Sequence, residues 1–177
     1  MEVRPGATRA VVVCESMFGN TRAVGEVIAE TLAIHFDRVD VFDVADAPVT
    51  LDDVSLLVVG APTHAFGMSR PSTREAAHEQ GAPVPTERGV REWLADLQRP
   101  SHAVPCAVFD TRIRTPRLPG SAARAARRRL RRLGCDVFAP VSFGVTGTTG
   151  PLADGELDRA RHWAAALDVL ARPTVPS

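Results

Sequence analysis

The stretch Arg9–Thr21, RAVVVCESMFGNT, joins an apolar strand pattern to a helical pattern through a short polar loop. Ala10–Cys14 is rich in valine and uninterrupted by polar residues, which is typical of a strand buried inside a sheet. A helix that starts directly after such a strand leaves backbone N–H groups free in its first turn, and the helix dipole is positive there. The stretch therefore predicts a phosphate site at residues 16–21.

Two better-known phosphate-binding sequences do not fit this stretch. The chain contains no lysine and so has no Walker A sequence, and it has one glycine here where the dinucleotide fingerprint needs three. The side chains of Ser16, Asn20 and Thr21 can add hydrogen bonds to a phosphate. The alternative is that Asn20 or Thr21 only caps the helix.

Strand and helix patterns alternate along the rest of the chain. This alternation predicts an α/β fold, a doubly wound parallel sheet with helices on both faces. The length predicts one domain spanning 1–177, with a flexible insertion at about 70–89 that is rich in Pro, Gly, Ser and Thr. The predicted strands are 10–14, 38–43, 56–60, 104–109 and 137–145, and the predicted helices are 21–36, one beginning near residue 86, 121–133 and 155–170.

Loops with ligand-binding character follow three of the predicted strands. In a doubly wound sheet, ligands bind at the carboxyl ends of the strands. Residues 61–69 include a proline, an aromatic ring and a methionine that suit a flat apolar ring, and polar residues 110–112 follow the next strand. A phosphate site beside a site for a flat heterocycle predicts a mononucleotide ligand.

Two of these loops resemble those of the flavodoxin family, whose members bind FMN. Residues 14–21, CESMFGNT, resemble the family's phosphate loop, and residues 58–63, VVGAPT, resemble its third strand and the loop that lines the flavin. The resemblance implies a five-stranded parallel sheet of order 2-1-3-4-5 and FMN bound without a covalent bond, with no catalytic residue or metal ligand assigned. The cofactor-binding residues that it implies are Ser16, Met17, Phe18, Gly19, Asn20, Thr21, Pro62, Thr63, His64, Ala65, Phe66, Gly67, Asp110, Thr111 and Arg112.

The resemblance also implies a redox protein that carries electrons through the flavin. The donor would be a reduced nicotinamide cofactor or a protein reductase, and the acceptor a quinone or a redox protein. Pro62 and Thr63 are similar to the FMN-dependent quinone reductases, which leaves an NAD(P)H oxidoreductase activity open. The chain has no tyrosine, and Met17 and Phe18 stand where hydroxyl residues are common in the family. The alternative is a flavodoxin-like domain with weak or lost FMN binding that acts as a protein-binding module.

Four of the loop residues have a structural alternative. Phe66 stacks on the flavin, or it plugs its loop into the core. His64 bonds the ring edge, donates a proton to a substrate, or lies on the surface without either role. Asp110 accepts a hydrogen bond from a ring nitrogen, or it closes a turn. Arg112 favours the anionic reduced flavin, or it pairs with Asp110 or Glu15.

Composition and charge argue against nucleic-acid-binding, membrane-spanning and metal-binding functions. The net charge of zero argues against nucleic acid as the main partner, and no apolar run is long enough to cross a membrane. Cys14, Cys106 and Cys135 have no metal-ligand spacing, which predicts buried reduced thiols in a cytoplasmic protein. The six arginines within 121–133 surround an apolar stripe and predict a solvated helix face. The alternative for these arginines is docking of an acidic partner or of a dinucleotide's phosphates.

Overall fold

Six strands and five helices lie in the part of the chain that the structure describes. This computed structural model describes residues 7–64, 66–83, 87–114 and 119–171. The strands are β1 (Arg9–Cys14), β2 (Arg38–Asp43), β3 (Leu56–Pro62), β4 (Pro105–Ile113), β5 (Asp136–Val137) and β6 (Val141–Val145). The helices are α1 (Asn20–Leu32), α2 (Pro71–Glu79), α3 (Val90–Asp96), α4 (Ala122–Arg132) and α5 (Glu156–Ala171).

The strands form one parallel sheet. Its order is β2-β1-β3-β4-β5, and β6 also pairs with β4. The central strands β1 and β3 are buried along almost their whole length, because helices cover both faces of the sheet. The predicted doubly wound fold and its strand order 2-1-3-4-5 are confirmed.

The fifth position of the sheet holds two short strands. β5 pairs with Pro105 and Cys106 of β4, whereas β6 pairs with the stretch 109–113. Pro140 lies in the gap between β5 and β6 and has no backbone N–H to donate to β4. The prediction of one continuous strand over 137–145 is therefore wrong, although both short strands run along the same edge of β4.

Alternate residues of the sheet contribute to two separate apolar cores. Val11 and Val13 of β1 belong to the core built with α3 and α4, whereas Val12 belongs to the core built with α1 and α5. Trp93 of α3 is completely buried in the first core, and Leu167 of α5 in the second. Helices thus pack on both faces, as the doubly wound fold requires.

Helix α4 has the predicted apolar stripe on one side and arginines on the other. Ala123, Ala126 and Leu130 are buried in the core, whereas the arginines lie on the flanks and the outer face. The Ser121 hydroxyl caps the start of the helix by accepting a hydrogen bond from a backbone N–H of the first turn. Gly134 follows the last turn with φ of +91°, which a glycine adopts without strain.

The segment 70–89, which was predicted as an insertion, contains helix α2. Pro71 lies in its first turn, where a missing backbone N–H costs no hydrogen bond. Two alanines of the segment form a small apolar cluster with Met17, and Phe18 packs against it. Met17 and Phe18 of the predicted phosphate loop therefore hold this segment in place. Residues 84–86 lie outside the described residues.

The three cysteines are free and buried, as predicted. Burial raises the pKa of the Cys14 thiol to about 12, so this thiol stays protonated and unreactive at neutral pH. The described helices include none that is both long and apolar enough to cross a bilayer.

Candidate cofactor-binding site

A cleft opens where β1, β3 and β4 end at the carboxyl edge of the sheet. Its cavity volume is about 80 Å³, which is less than that of most small-molecule sites. We call it the strand-end cleft. The predicted residues that line it are Ser16, Met17, Phe18, Asn20, Thr21, Pro62, Thr63, His64, Thr111 and Arg112. Ile113, Val145 and Thr148 also line it. They are not among the predicted site residues, although Val145 and Thr148 lie within the glycine-rich stretch 144–150, which the order of the strands placed near the rim of the site.

The loop between β1 and α1 has the backbone geometry that an anion site requires. Gly19 is the residue before α1 and has φ of +87°, a conformation that side chains disfavour. Among the described residues, no acceptor is found for the backbone N–H groups of residues 16–21. The Ser16 hydroxyl accepts a hydrogen bond from the N–H of Arg22 at 3.2 Å, which closes the loop. The loop thus presents unpaired donors at the positive end of a helix 13 residues long.

Asn20 and Thr21 connect this loop to neighbouring loops. Nδ2 of Asn20 donates to the carbonyl of Thr149 at 3.1 Å. The hydroxyls of Thr21 and Thr111 lie 2.7 Å apart, buried between α1 and the end of β4. Gly19 precedes the helix without any side-chain cap, so the alternative that Asn20 or Thr21 merely caps α1 is wrong.

Asp110 is buried beneath the strand-end cleft and does not line it. Its Oδ2 accepts hydrogen bonds from the hydroxyls of Thr63 at 2.8 Å and Ser121 at 2.5 Å, and from the N–H of Ala123 at 3.1 Å. Its Oδ1 has no partner among the described residues. The carboxylate therefore fastens the start of α4 to the ends of β3 and β4, which differs from both predicted roles.

Arg112 lines the strand-end cleft and also supports a neighbouring turn. Its Nη1 donates to the carbonyl of Gly120 at 2.9 Å. Gly120 has φ of +89°, and a Cβ there would lie 1.8 Å from the carbonyl oxygen of Phe66. Only a glycine fits this contact, which holds the turn before α4 against the loop after β3.

The loop after β3 forms a tight hairpin at residues 64–67. The N–H of His64 donates to the carbonyl of Gly67 at 2.9 Å, and the reverse bond measures 3.0 Å. Phe66 has φ of +74° and is 58% exposed, so the alternative that it plugs the loop into the core is wrong. Phe66 and Gly67 line a separate cavity beside α4 instead of the strand-end cleft. Ala65, which was also predicted as a site residue, lies outside the described residues.

His64 lines the strand-end cleft as a half-buried side chain. Burial lowers the pKa of its imidazole below the ordinary value of 6.5, so the ring is neutral at neutral pH. Its Nε2 is enclosed and has no partner among the described residues. A neutral ring at this place can provide a flat wall and one hydrogen-bonding nitrogen, but no positive charge.

Glu15, which sequence reasoning did not select as a site residue, fastens the segment 70–89 to the site. It follows β1 directly and is buried. Its Oε2 accepts a hydrogen bond from the N–H of Val90 at 2.7 Å, and its Oε1 accepts one from the Ser69 hydroxyl. The same hydroxyl accepts a hydrogen bond from Nη1 of the buried Arg74 at 2.9 Å. A charged residue directly after a buried strand was the available sign of such a role.

Solved structures of flavodoxins share this fold. Flavodoxin 1 from Bacillus cereus is 16% identical with a TM-score of 0.67, over 94% of this chain and 100% of that chain. The flavodoxin from Streptococcus pneumoniae TIGR4 is 17% identical with a TM-score of 0.66, over 92% and 99%. The flavodiiron protein from Giardia intestinalis is 18% identical with a TM-score of 0.61, over 92% of this chain and 36% of that chain. No family model and no curated protein matches the sequence. The chain has the flavodoxin-like fold.

Proposed function

We propose that the strand-end cleft binds FMN without a covalent bond and that the protein is a flavodoxin-like redox protein. The observation that carries this proposal is the set of backbone N–H groups at residues 16–21 without acceptors in the described structure. They lie at the start of α1, beside the strand-end cleft. A monoester phosphate is the ligand that such donors suit best.

The remaining walls of the strand-end cleft fit the other end of a flavin mononucleotide. Pro62 and Ile113 offer apolar surface, and His64 offers a neutral flat ring. No acidic side chain lines the cleft among the described residues, so nothing there repels a phosphate. Arg112 adds a cation on the β4 side, which favours a ligand that gains negative charge on reduction.

Bound FMN supplies reversible electron transfer, whereas the protein supplies position, electrostatics and access. Residues 16–21 would hold the phosphate, and Pro62 to His64 would border the ring. Thr111 of β4 connects these two parts of the cleft, because its hydroxyl is hydrogen-bonded to that of Thr21 and its carbonyl accepts a hydrogen bond from the N–H of Thr63. We further propose a reduced nicotinamide cofactor or a protein reductase as the electron donor, and a quinone or a redox protein as the acceptor.

The segment 70–89 is the element that we propose to select the acceptor. It follows the hairpin at 64–67, and Glu15 and Met17 connect it to the phosphate loop. A ligand that enters over this segment would therefore contact the same loops that surround the flavin. The buried reduced cysteines agree with a cytoplasmic location.

The test is the visible absorption of the purified protein after incubation with FMN and desalting. We expect retained flavin bands, and weaker FMN binding in the variant Gly19→Ala. Gly155→Ala is a matched control, because Gly155 also precedes a helix with positive φ and open space around its Cα. Each substitution forces alanine into a left-handed conformation at a cost of about 1–2 kcal/mol, but only Gly19 lies in the phosphate loop. A protein that stays colourless with excess FMN would overturn the proposal and favour a flavin-free binding module.

A further inference from the structure

The hairpin at 64–67 separates two cavities with different linings. His64 faces the strand-end cleft, whereas Phe66 faces a larger cavity with a volume of about 580 Å³. We call the larger cavity the arginine groove, and no acidic residue lines it in the described part of the chain. The lining residues that matter for its chemistry are Phe66, Arg70, Arg91, Gly120, Arg124 and Arg128.

The positive charges of the arginine groove are not neutralised within the described chain. Arg91 donates to the backbone carbonyls of residues 68–69 over 2.8 and 3.0 Å, contacts that leave its charge uncompensated. Arg70, Arg124 and Arg128 form no ion pair with a carboxylate among the described residues. Four guanidinium groups around one concavity require anions for neutralisation.

Two of these arginines occupy positions that the helix itself disfavours. Arg124 lies in the first turn of α4, where the helix dipole is positive, and Arg128 lies one turn later, where it repels Arg124. Arg129 and Arg132 lie in the last turn, where the dipole favours a cation. Local helix physics therefore explains the second pair but not the first, and such conflicts are expected at functional sites.

Phe66 adds an aromatic surface to the same groove. The residue is 58% exposed, and its backbone has φ of +74° within the hairpin, where its carbonyl lies close to Gly120. A bulky residue rarely adopts this conformation without support, and such residues cluster at ligand-binding sites. An exposed ring beside guanidinium groups suits a ligand that combines a flat base with several negative charges.

We propose that the arginine groove binds a nucleotide carrying two or more phosphate groups, with its base on Phe66 and its phosphates on Arg124 and Arg128. This site is separate from the strand-end cleft and does not depend on the proposed flavin. A flat base joined to several phosphate charges occurs both in a free nucleotide such as ADP and in a phosphorylated dinucleotide such as NADPH. The ligand that binds more tightly shows which of the two the groove takes.

The test is calorimetric titration of the purified full chain with ADP, NADPH, inorganic pyrophosphate and a polyglutamate peptide at low ionic strength. The variant Arg124→Gln/Arg128→Gln should weaken binding of ADP or NADPH by about tenfold or more. The control Arg129→Gln/Arg132→Gln removes the same charge from the same helix and should change the Kd by less than about twofold. All four arginines lie on the flanks and the outer face of α4, outside its buried stripe, so circular dichroism should show that each variant keeps the fold.

A second variant separates the base from the phosphates. Phe66→Leu should weaken ADP binding by about fivefold or more, in line with the loss of one stacked base, while pyrophosphate binding stays unchanged. If the two double-arginine variants lost nucleotide affinity to the same extent, the attraction would be diffuse and electrostatic, and the proposal would be overturned. It would also be overturned if neither nucleotide bound at about 1 mM, the weak end of specific affinity. Binding of polyglutamate without binding of nucleotide would overturn it in favour of an acidic protein partner.

Discussion

Two buried carboxylates, Glu15 after β1 and Asp110 at the end of β4, do the same work in different ways. Each accepts a hydrogen bond from a backbone N–H at the start of a helix, Val90 in α3 and Ala123 in α4. Glu15 uses both oxygens, and a hydroxyl links it to the buried cation Arg74. Asp110 receives its hydrogen bonds on one oxygen only, and the other has no described partner.

The difference shows how a carboxylate near a ligand site can be structural. Hydroxyl and backbone dipoles stabilise Asp110, whereas Glu15 belongs to a network that contains an opposite charge. Both residues position the segments that surround the strand-end cleft without lining it. The groups left for a ligand are therefore the backbone N–H groups of 16–21 and the side chains of the cleft walls.

The largest expected effect comes from Glu15→Ala. The substitution leaves the N–H of Val90 and the Ser69 hydroxyl without their buried acceptor and leaves a cavity, while Arg74 keeps its ion pair with Glu92 at 3.1 Å. We therefore expect a loss of about 2–4 kcal/mol in the free energy of unfolding. Urea denaturation at pH 7 measures it. Glu30→Ala, on the exposed face of α1, is the control and should change stability by less than about 0.5 kcal/mol. A loss as small as that of the control would show that the Glu15 network is dispensable.

A smaller effect is expected from Asp110→Asn. The amide keeps one acceptor oxygen for the three donors but places an NH₂ group where Oδ1 has no partner, which should cost about 1–3 kcal/mol. FMN affinity should change little, because Asp110 does not line the strand-end cleft. Titration of the variant with FMN beside the denaturation curves distinguishes the two roles. A large loss of affinity at unchanged stability would mean that Asp110 contacts the ligand.

The smallest effect in the comparison is a pH dependence that belongs to Glu15. Burial raises the pKa of this carboxyl above its ordinary value of 4.5, and the hydrogen bonds from Ser69 and Val90 and the charge of Arg74 offset burial only in part. The folded state therefore binds the proton more tightly than the unfolded state, and the contribution of this group to stability falls as pH rises from 4.5 through the folded pKa.

The contribution of Glu15 titration to stability is measured by denaturing the wild type and the variant Glu15→Gln over the same pH series. The stability of the wild type relative to the variant should decline across that window and level off above it. A difference that stays constant, or that grows with pH, would contradict a raised pKa.

Sequence reasoning was most successful where the pattern was local. The apolar run of β1 and the helix that follows it predicted the strand, the loop and the free N–H groups of 16–21. It was less successful where a distant contact decided the outcome. Helix α2 within 70–89 has a polar composition, and its few apolar residues are explained only by packing against Met17 and Phe18.

The contrast between local patterns and distant contacts also explains which predicted residues line the strand-end cleft and which do not. Pro62 is the last residue of the central strand β3 and Thr63 follows it directly, so the end of the strand places both at the cleft. Phe66 lies three residues further on, beyond a reversal of the chain that directs it to the arginine groove. The reversal is closed by the two hydrogen bonds between His64 and Gly67, and the turn at Gly120, far along the chain, packs against Phe66.

The sequence by itself determined the alternation of strands and helices, and with it the edge of the sheet where a ligand can bind. That follows because parallel strands share their carboxyl edge and because every helix begins with unpaired N–H groups. Only the tertiary structure decided which polar side chains remain free for a ligand. Thr21 meets Thr111, and Asp110 meets Thr63, across long stretches of chain. Burial forces such groups to pair with whatever lies nearest in space, and sequence distance carries no information about that neighbour.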